Sequence, residues 1–246
     1  MRSPVMVTLR SAAARVLEYQ FDGIYAPTEV AGYLLATMPA EQHPPTSRRI
    51  MRWIRYGIVA PERRTAPGRD LVVDFEDLVT CQAITLLREA GFRFADILTT
   101  EQYFGREYGV PKPFAHRRFW YSGRDIFGRI DGRLVSGTKG GQIAWDFLDE
   151  WLTPLRIELG FSEETDRATW WRPTLGVLLK PNVQFGQPCI EGTRIPTSLI
   201  WGYVSAGDSP SYLAEAYQVE VAAIERAVAW EERVRSALDS AATLPA

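Results

Sequence analysis

The sequence predicts an α+β protein in three segments, and three observations carry that prediction. Residues 22–100 place apolar side chains at helical spacing between recognisable caps. Residues 101–176 give up that period for aromatic runs and turn signals, and hold five of the eight tryptophans. Residues 177–238 carry Gly and Pro at the joints between a short strand and three helices.

The front segment opens with a short helix expected over Ser11 to Tyr19. After Tyr25-Ala26-Pro27, Thr28 is the expected N-cap of a helix that buries Val30, Ala31, Leu34 and Leu35. A proline-rich insertion, Pro39 to Pro45, precedes a second helix that Thr46 or Ser47 caps and Gly57 stops. On it Ile50, Trp53 and Ile54 share one side, and Arg48, Arg52 and Arg55 the other, with Arg49 at the border. Four arginines without one acid forgo every stabilising ion pair along the helix, which points to an external anion. Ile58 to Ala60 and Leu71 to Val73 then read as two strands of a wing, with Arg63, Arg64 and Arg69 near its tip. Asp74 caps a long helix to Ala90, Gly91-Phe92 ends it, and Phe94 to Leu98 starts another turn.

In the middle, Phe114 to Tyr121 reads as a strand and Ile126 to Val135 as a hairpin turning at Asp131-Gly132. Gly137-Thr138-Lys139-Gly140-Gly141 reads as a further hairpin turn, since it lacks the spacing of a phosphate-binding loop. Gln142 to Leu159 has the pattern of an amphipathic helix, kinked or split at Pro154. The run His116 to Tyr121 mixes cations and aromatics, as single-strand binders do, and equally suits a sheet packed on a helix.

The last segment has a strand, Val177 to Leu179, then Gly186 and Gly192 at tight turns. Thr197 or Ser198 opens a helix that ends at Gly207. Ser209-Pro210 starts the next, through Tyr217, and a third runs from about Val221 to Arg235. Together they predict a three-helix, helix-turn-helix-like bundle. Arg194, between the two turns, is expected to clamp backbone carbonyls or Glu191, with DNA contact as the rival role.

Charge and composition narrow the function. The 246 residues are 46% hydrophobic and 24% charged, enough to bury a core, which excludes a disordered, fibrous or disulfide-scaffold chain. The apolar stretch around Leu175 to Leu179 is far too short to span a membrane, and Met1 to Arg10 has no apolar leader core. A cytoplasmic protein with reduced Cys81 and Cys189 is expected. The net charge of −2 hides a gradient: His43 to Arg69 has seven Arg against Glu62 alone, and Lys112 to Lys139 has seven cations against two acids. From Lys180 onward the balance is acidic, five cations against eight acids. His43 and His116 lack the spacing of a zinc site, and no nucleophile elbow or dinucleotide fingerprint occurs. The chain is therefore expected to be no enzyme and to need no metal or cofactor.

Two stretches resemble known families. RRIMRWIRYGIVAPERR followed by DLVVDFEDLVTCQAITLLREAGFRFADI resembles the winged helix-turn-helix of the MerR type, over about 70 residues. The resemblance implies a DNA-binding domain over 22–100, with Arg48, Arg49, Arg52, Arg55, Arg63, Arg64 and Arg69 on DNA. Gly186, Pro188, Ile190, Gly192, Thr193, Arg194, Ile195 and Pro196, followed by three helices, resemble the domain-of-unknown-function family four-three-three, with Cys189 where Val is commoner. Members of that family occur among VapB-type antitoxins. A helix-turn-helix front, a strand-rich middle and this module resemble the long VapB-like antitoxins over nearly the full length.

That likeness implies an antitoxin of a type II toxin–antitoxin system, which sequesters a PIN-type ribonuclease toxin and represses its own operon as a DNA-binding transcription repressor. Double-stranded operator DNA, the toxin and a second copy of the chain are then the expected partners. Arginine is the natural plug for the toxin's metal-holding acids. Arg117, Arg118, Arg124, Arg129 and Arg133 are the candidates by charge, with Arg233 and Arg235 of the tail as the alternative. A second reading is a MerR-like regulator whose middle region senses a small ligand, with no toxin.

Overall fold

The computed structural model describes residues 23–38, 47–55, 73–144, 152–155 and 157–243. Among them the fold is α+β, with seven α-helices and two antiparallel sheets. The expected helix over Ser11 to Tyr19, the wing strands and Arg63, Arg64 and Arg69 lie outside the described residues.

Helix α1 (Pro27–Ala36) begins one residue before the expected cap, because Pro27 already has the φ of a first helical turn. The Glu29 carboxylate accepts the Ala26 N–H at 2.7 Å. Helix α2 (Ser47–Arg55) follows. Helix α3 (Phe75–Glu89) is capped as expected: the Asp74 carboxylate accepts the Asp77 N–H at 2.8 Å, and Asp77 returns the bond to Asp74 N. Buried residues cover almost all of α3, so it is the central helix of the protein. Helix α4 (Phe94–Tyr108) runs far beyond the single turn expected and ends at Gly109 in the left-handed region.

The first sheet has the order β4-β3-β2-β1-β5, from β1 (Trp120–Ser122), β2 (Asp125–Ile130), β3 (Arg133–Ser136), β4 (Gln142–Ile143) and β5 (Thr153–Pro154). Its β2–β3 turn is the two-residue hairpin that Asp131-Gly132 predicts, both residues at positive φ (49° and 78°). Helix α4 sits on this sheet through Phe104. Its ring occupies the space that a Cβ on Gly128 or Gly137 would fill, at 2.8 and 2.5 Å.

Two expectations are corrected here. Of the 114–121 run only Trp120 and Tyr121 are strand, within β1; Pro113–Ala115 forms a 3-10 turn that folds Phe114 back onto Phe119, ring centroids 4.8 Å apart. The helix expected over Gln142 to Leu159 is absent at its described ends. Gln142–Ile143 pairs with β3, Thr153–Pro154 with β1, and Leu159 opens β6. Cross-strand hydrogen bonds outweigh the local helical period there, and Pro154 is tolerated because β5 is an edge strand. Residues 145–151 lie outside the description.

The second sheet runs β6 (Leu159–Phe161), β7 (Ala168–Thr174), β8 (Val177–Leu179), β9 (Cys189–Ile190) in that order. Helices α5 (Thr197–Ser205), α6 (Pro210–Tyr217) and α7 (Val221–Thr243) follow it. The Ser209 hydroxyl caps α6 by accepting Tyr212 N–H, as Ser-Pro predicts. Ile190, Ile200, Leu213, Ala214, Ile224 and Ala227 form the small core of this bundle.

One large core joins all three segments, from Tyr25 and Leu34 through Leu87, Phe104 and Trp171 to Trp230 and Val234. Helix α7 outruns the expected end at Arg235 and packs along α1. Gly32 lets Val234 and Leu238 approach to 3.1 and 3.2 Å of where a Cβ would stand, and the Tyr33 and Trp230 rings lie 6.1 Å apart.

Candidate functional site

The arginine helix is amphipathic in the way its spacing requires. Ile50 and Trp53 are 0% and 5% exposed in the main core, and Trp53 stacks on Phe94 at 6.5 Å. Arg48, Arg49 and Arg52 are exposed. Arg55 ends the helix, and its side chain lies outside the description. The buried face fixes the helix, so its cationic face is held towards solvent. Among the described residues no acid lies on α2.

The five middle arginines do not form one cluster. Arg117 lies 5.5 Å from the Tyr108 ring centre and pairs with Asp166 at 2.6 Å. Tyr108 donates its hydroxyl to the Arg129 carbonyl at 3.1 Å, and the Arg129 guanidinium lies 5.6 Å from the Trp120 ring. Arg129 also donates to the Gly132 carbonyl, beside Arg133 at the hairpin turn. Arg118 is exposed and has no ion-pair partner among the described residues. Arg124 sits at the opposite end of the β1–β2 hairpin, near Asp96. Arg117, Arg118, Arg129 and Arg133 thus belong to one end of the sheet, and Arg124 to the other. Of the tail cations, Arg235 pairs with Glu231 at 3.7 Å, and Arg233 lies over the Trp230 ring at 5.8 Å.

Between the two sheets opens a cavity of about 610 Å³, lined by Phe119, Trp120, Leu155, Phe161 and Trp170 with Arg118 among them. Sequence reasoning marked Trp120 and Arg118 and missed the opposite wall. The available signal was Gly160 ten residues before Trp170: the pair are cross-strand neighbours, and a Cβ on Gly160 would stand 2.0 Å from the indole nitrogen.

A second feature the sequence hid is a buried ionic layer at the start of α3. Lys112, 2% exposed, donates to Asp74 at 2.7 Å and lies 3.0 Å from Asp77. Burial and the Asp74 charge push Asp77 above the usual carboxylate range, and the two carboxylates hold Lys112 well above its own despite burial. Burial pushes Glu76 up, but His116 at 3.3 Å and Arg167 at 2.5 Å overcome it and bring Glu76 down to about 2. Among the described residues no cation offsets the burial of Glu101. Burial, with Asp77 nearby, pushes it up to about 8. Among the described residues no His, Cys, Asp and Glu group could hold a metal ion.

In the C-terminal motif, the Glu191 carboxylate pairs with Arg172 of β7, which also holds Glu158. Arg194 is exposed and does not clamp Glu191. That expectation is corrected: β7 delivers a guanidinium to Glu191 from another strand, a contact that sequence neighbourhood cannot reveal. Thr193 takes the turn role instead, donating to the Ile190 carbonyl at 2.8 Å and accepting Ile195 N–H at 3.1 Å. Pro188 offers its carbonyl to Thr197, at 2.9 Å to the backbone and 3.2 Å to the hydroxyl. Pro196 occupies the cap position of α5, and its own bridge to Cys189 closes the turn. Burial pushes the Cys189 thiol up to about 11, so it is protonated at neutral pH.

Residues 178–230 match the model of a family described as "Protein of unknown function (DUF433)". The DUF433 stretch begins in β8, contains the whole Gly186–Pro196 motif, and ends at Trp230, the residue that carries α7 onto α1. The chain is also similar in fold to the crystal structure of Rv2018 from Mycobacterium tuberculosis. The likeness covers 83% of this chain and 96% of that one, with a TM-score of 0.56 and 15% sequence identity. The shared architecture therefore extends well beyond the DUF433 residues. No curated protein matches the chain. Among the described residues no helix is long and apolar enough to cross a membrane.

Proposed function

We propose that the chain is a DNA-binding antitoxin that represses its own operon through α2 and neutralises a PIN-type ribonuclease. The observation that carries the DNA half is the α2 geometry: Arg48, Arg49 and Arg52 exposed on a helix whose Ile50 and Trp53 are locked in the core. Such a helix presents guanidiniums at major-groove spacing at no cost to folding. In this reading α1 and α2 are the helix-turn-helix of a MerR-like winged domain, Arg63, Arg64 and Arg69 contact phosphates, and a homodimer reads paired half-sites. For the toxin half, Arg118 and Arg133 are exposed at one end of the first sheet, whereas Arg117 is engaged by Asp166 and Arg129 by the Gly132 carbonyl.

The test is co-expression with the product of the adjacent gene, together with gel shifts on the chain's own promoter. A stable complex, rescue of growth and a promoter shift support the reading. Absence of a complex at about micromolar concentration overturns the toxin half. A second reading, a regulator that senses a small ligand and has no toxin, draws on the cavity between the sheets. It keeps the promoter shift and drops the rescue.

A further inference from the structure

We propose that the cavity between the two sheets is a binding site for a small planar aromatic monoanion, an arene carboxylate, with Arg118 as its counter-ion. Three observations lead there. At about 610 Å³ the cavity has the size of ordinary small-molecule sites, with aromatic rings as walls. Those rings are fixed before anything binds. Trp120 is held by the Arg129 guanidinium, itself tied to the Gly132 carbonyl at 3.1 Å. Trp170 rests in the space left by Gly160, with the Arg172 guanidinium 5.3 Å from its ring. Little order remains to be imposed on the walls when a flat ligand enters.

The third observation is how the charged lining residues are partnered, which selects the ligand's sign. Among the described residues, Arg117, Arg118 and Glu158 are the charged residues of the lining. Arg117 is paired with Asp166, and Glu158 shares the Arg172 guanidinium with Glu191. Arg118 has no ion-pair partner among the described residues, so its guanidinium is the charged group of the described lining open to a ligand. A guanidinium beside aromatic walls suits one carboxylate on a flat ring system: the fork takes both oxygens, and the rings stack. A neutral arene would leave that charge unanswered, and a polyphosphate would exceed it.

Arg118 is shared with the toxin half proposed above, but binding of a small probe to the chain alone needs neither a toxin nor the α2 arginines, so its failure and theirs are separable. The experiment is calorimetric titration of the full chain with 1-naphthoate and with its neutral counterpart 1-naphthamide. Naphthoate is expected to bind at least about tenfold more tightly than the amide. Arg118→Gln should erase that preference, while Arg124→Gln, at the far end of the hairpin, should keep it. Arg118 is exposed, so the variant is expected to stay folded, which circular dichroism checks. Equal affinity for the two probes, no binding of either at about 1 mM, or an unchanged preference in Arg118→Gln each overturns the proposal.

Discussion

The buried phenol of Tyr25 donates a hydrogen bond to the carbonyl of Gly186 at 2.9 Å, across 161 residues of sequence. Tyr25 is also bridged to Val73, its N–H and carbonyl each 3.0 Å from Val73's complementary groups. One residue therefore ties the start of α1, Val73 just before the α3 cap, and the DUF433 stretch together. Burial holds the phenol well above its ordinary range, so it remains a donor throughout the working pH range.

Gly186→Ala should be strongly destabilising. Gly186 has φ +87°, and a Cβ there would stand 2.1 Å from the Tyr25 hydroxyl oxygen, so both backbone and packing object. Tyr25→Phe keeps the ring and removes only the donor, at an expected cost of about 1–3 kcal/mol. Urea unfolding of both variants checks this, with Gly186→Ala expected to lose more.

On α2, Arg48→Ala/Arg52→Ala should remain folded and lose promoter affinity, with a shallower dependence on salt. Ile50→Ala on the same helix should cost about 2–5 kcal/mol, because Ile50 is 0% exposed. If the double variant shifts promoter DNA as well as the parent across a salt series, α2 is not the reading helix.

Arg194→Ala should change stability by less than about 0.5 kcal/mol, as expected of an exposed side chain with no structural clamp. Arg172→Ala, which releases both Glu158 and Glu191, should cost about 1 kcal/mol more. Thermal melts of the pair give the ranking, and the reverse order would restore the clamp expected from sequence.

Stability should fall as pH rises from about 4.5 to about 8, through Glu101. In that window the folded chain keeps a proton that the unfolded chain releases, so each step up in pH favours unfolding, by on the order of 1 kcal/mol per unit. Glu101→Gln should flatten this limb. Glu76, brought down to about 2, acts in the opposite sense: its contribution is present above pH 4.5 and is lost as pH falls towards 2. Urea midpoints measured from pH 4 to pH 9 on the parent and Glu101→Gln test the first claim.

Features that depend on near neighbours were legible in the sequence. Asp74 and Ser209 cap helices because a cap needs a partner only three residues away, and Asp131-Gly132 turns a hairpin because both accept positive φ. The sidedness of α2 followed from its helical period, with Ile50 and Trp53 inward and Arg48 outward. Contacts between distant segments were not legible. Only the folded chain brings Trp170 over Gly160 to wall a cavity with Trp120, sends Glu191 to Arg172 instead of Arg194, and pairs Gln142–Ile143 and Thr153–Pro154 as edge strands. Local rules cover what one turn of backbone can satisfy. Hydrogen-bond ladders, buried charges and Tyr25's bond to Gly186 require partners that tertiary packing alone supplies, and there the long-range partner outweighs the local preference.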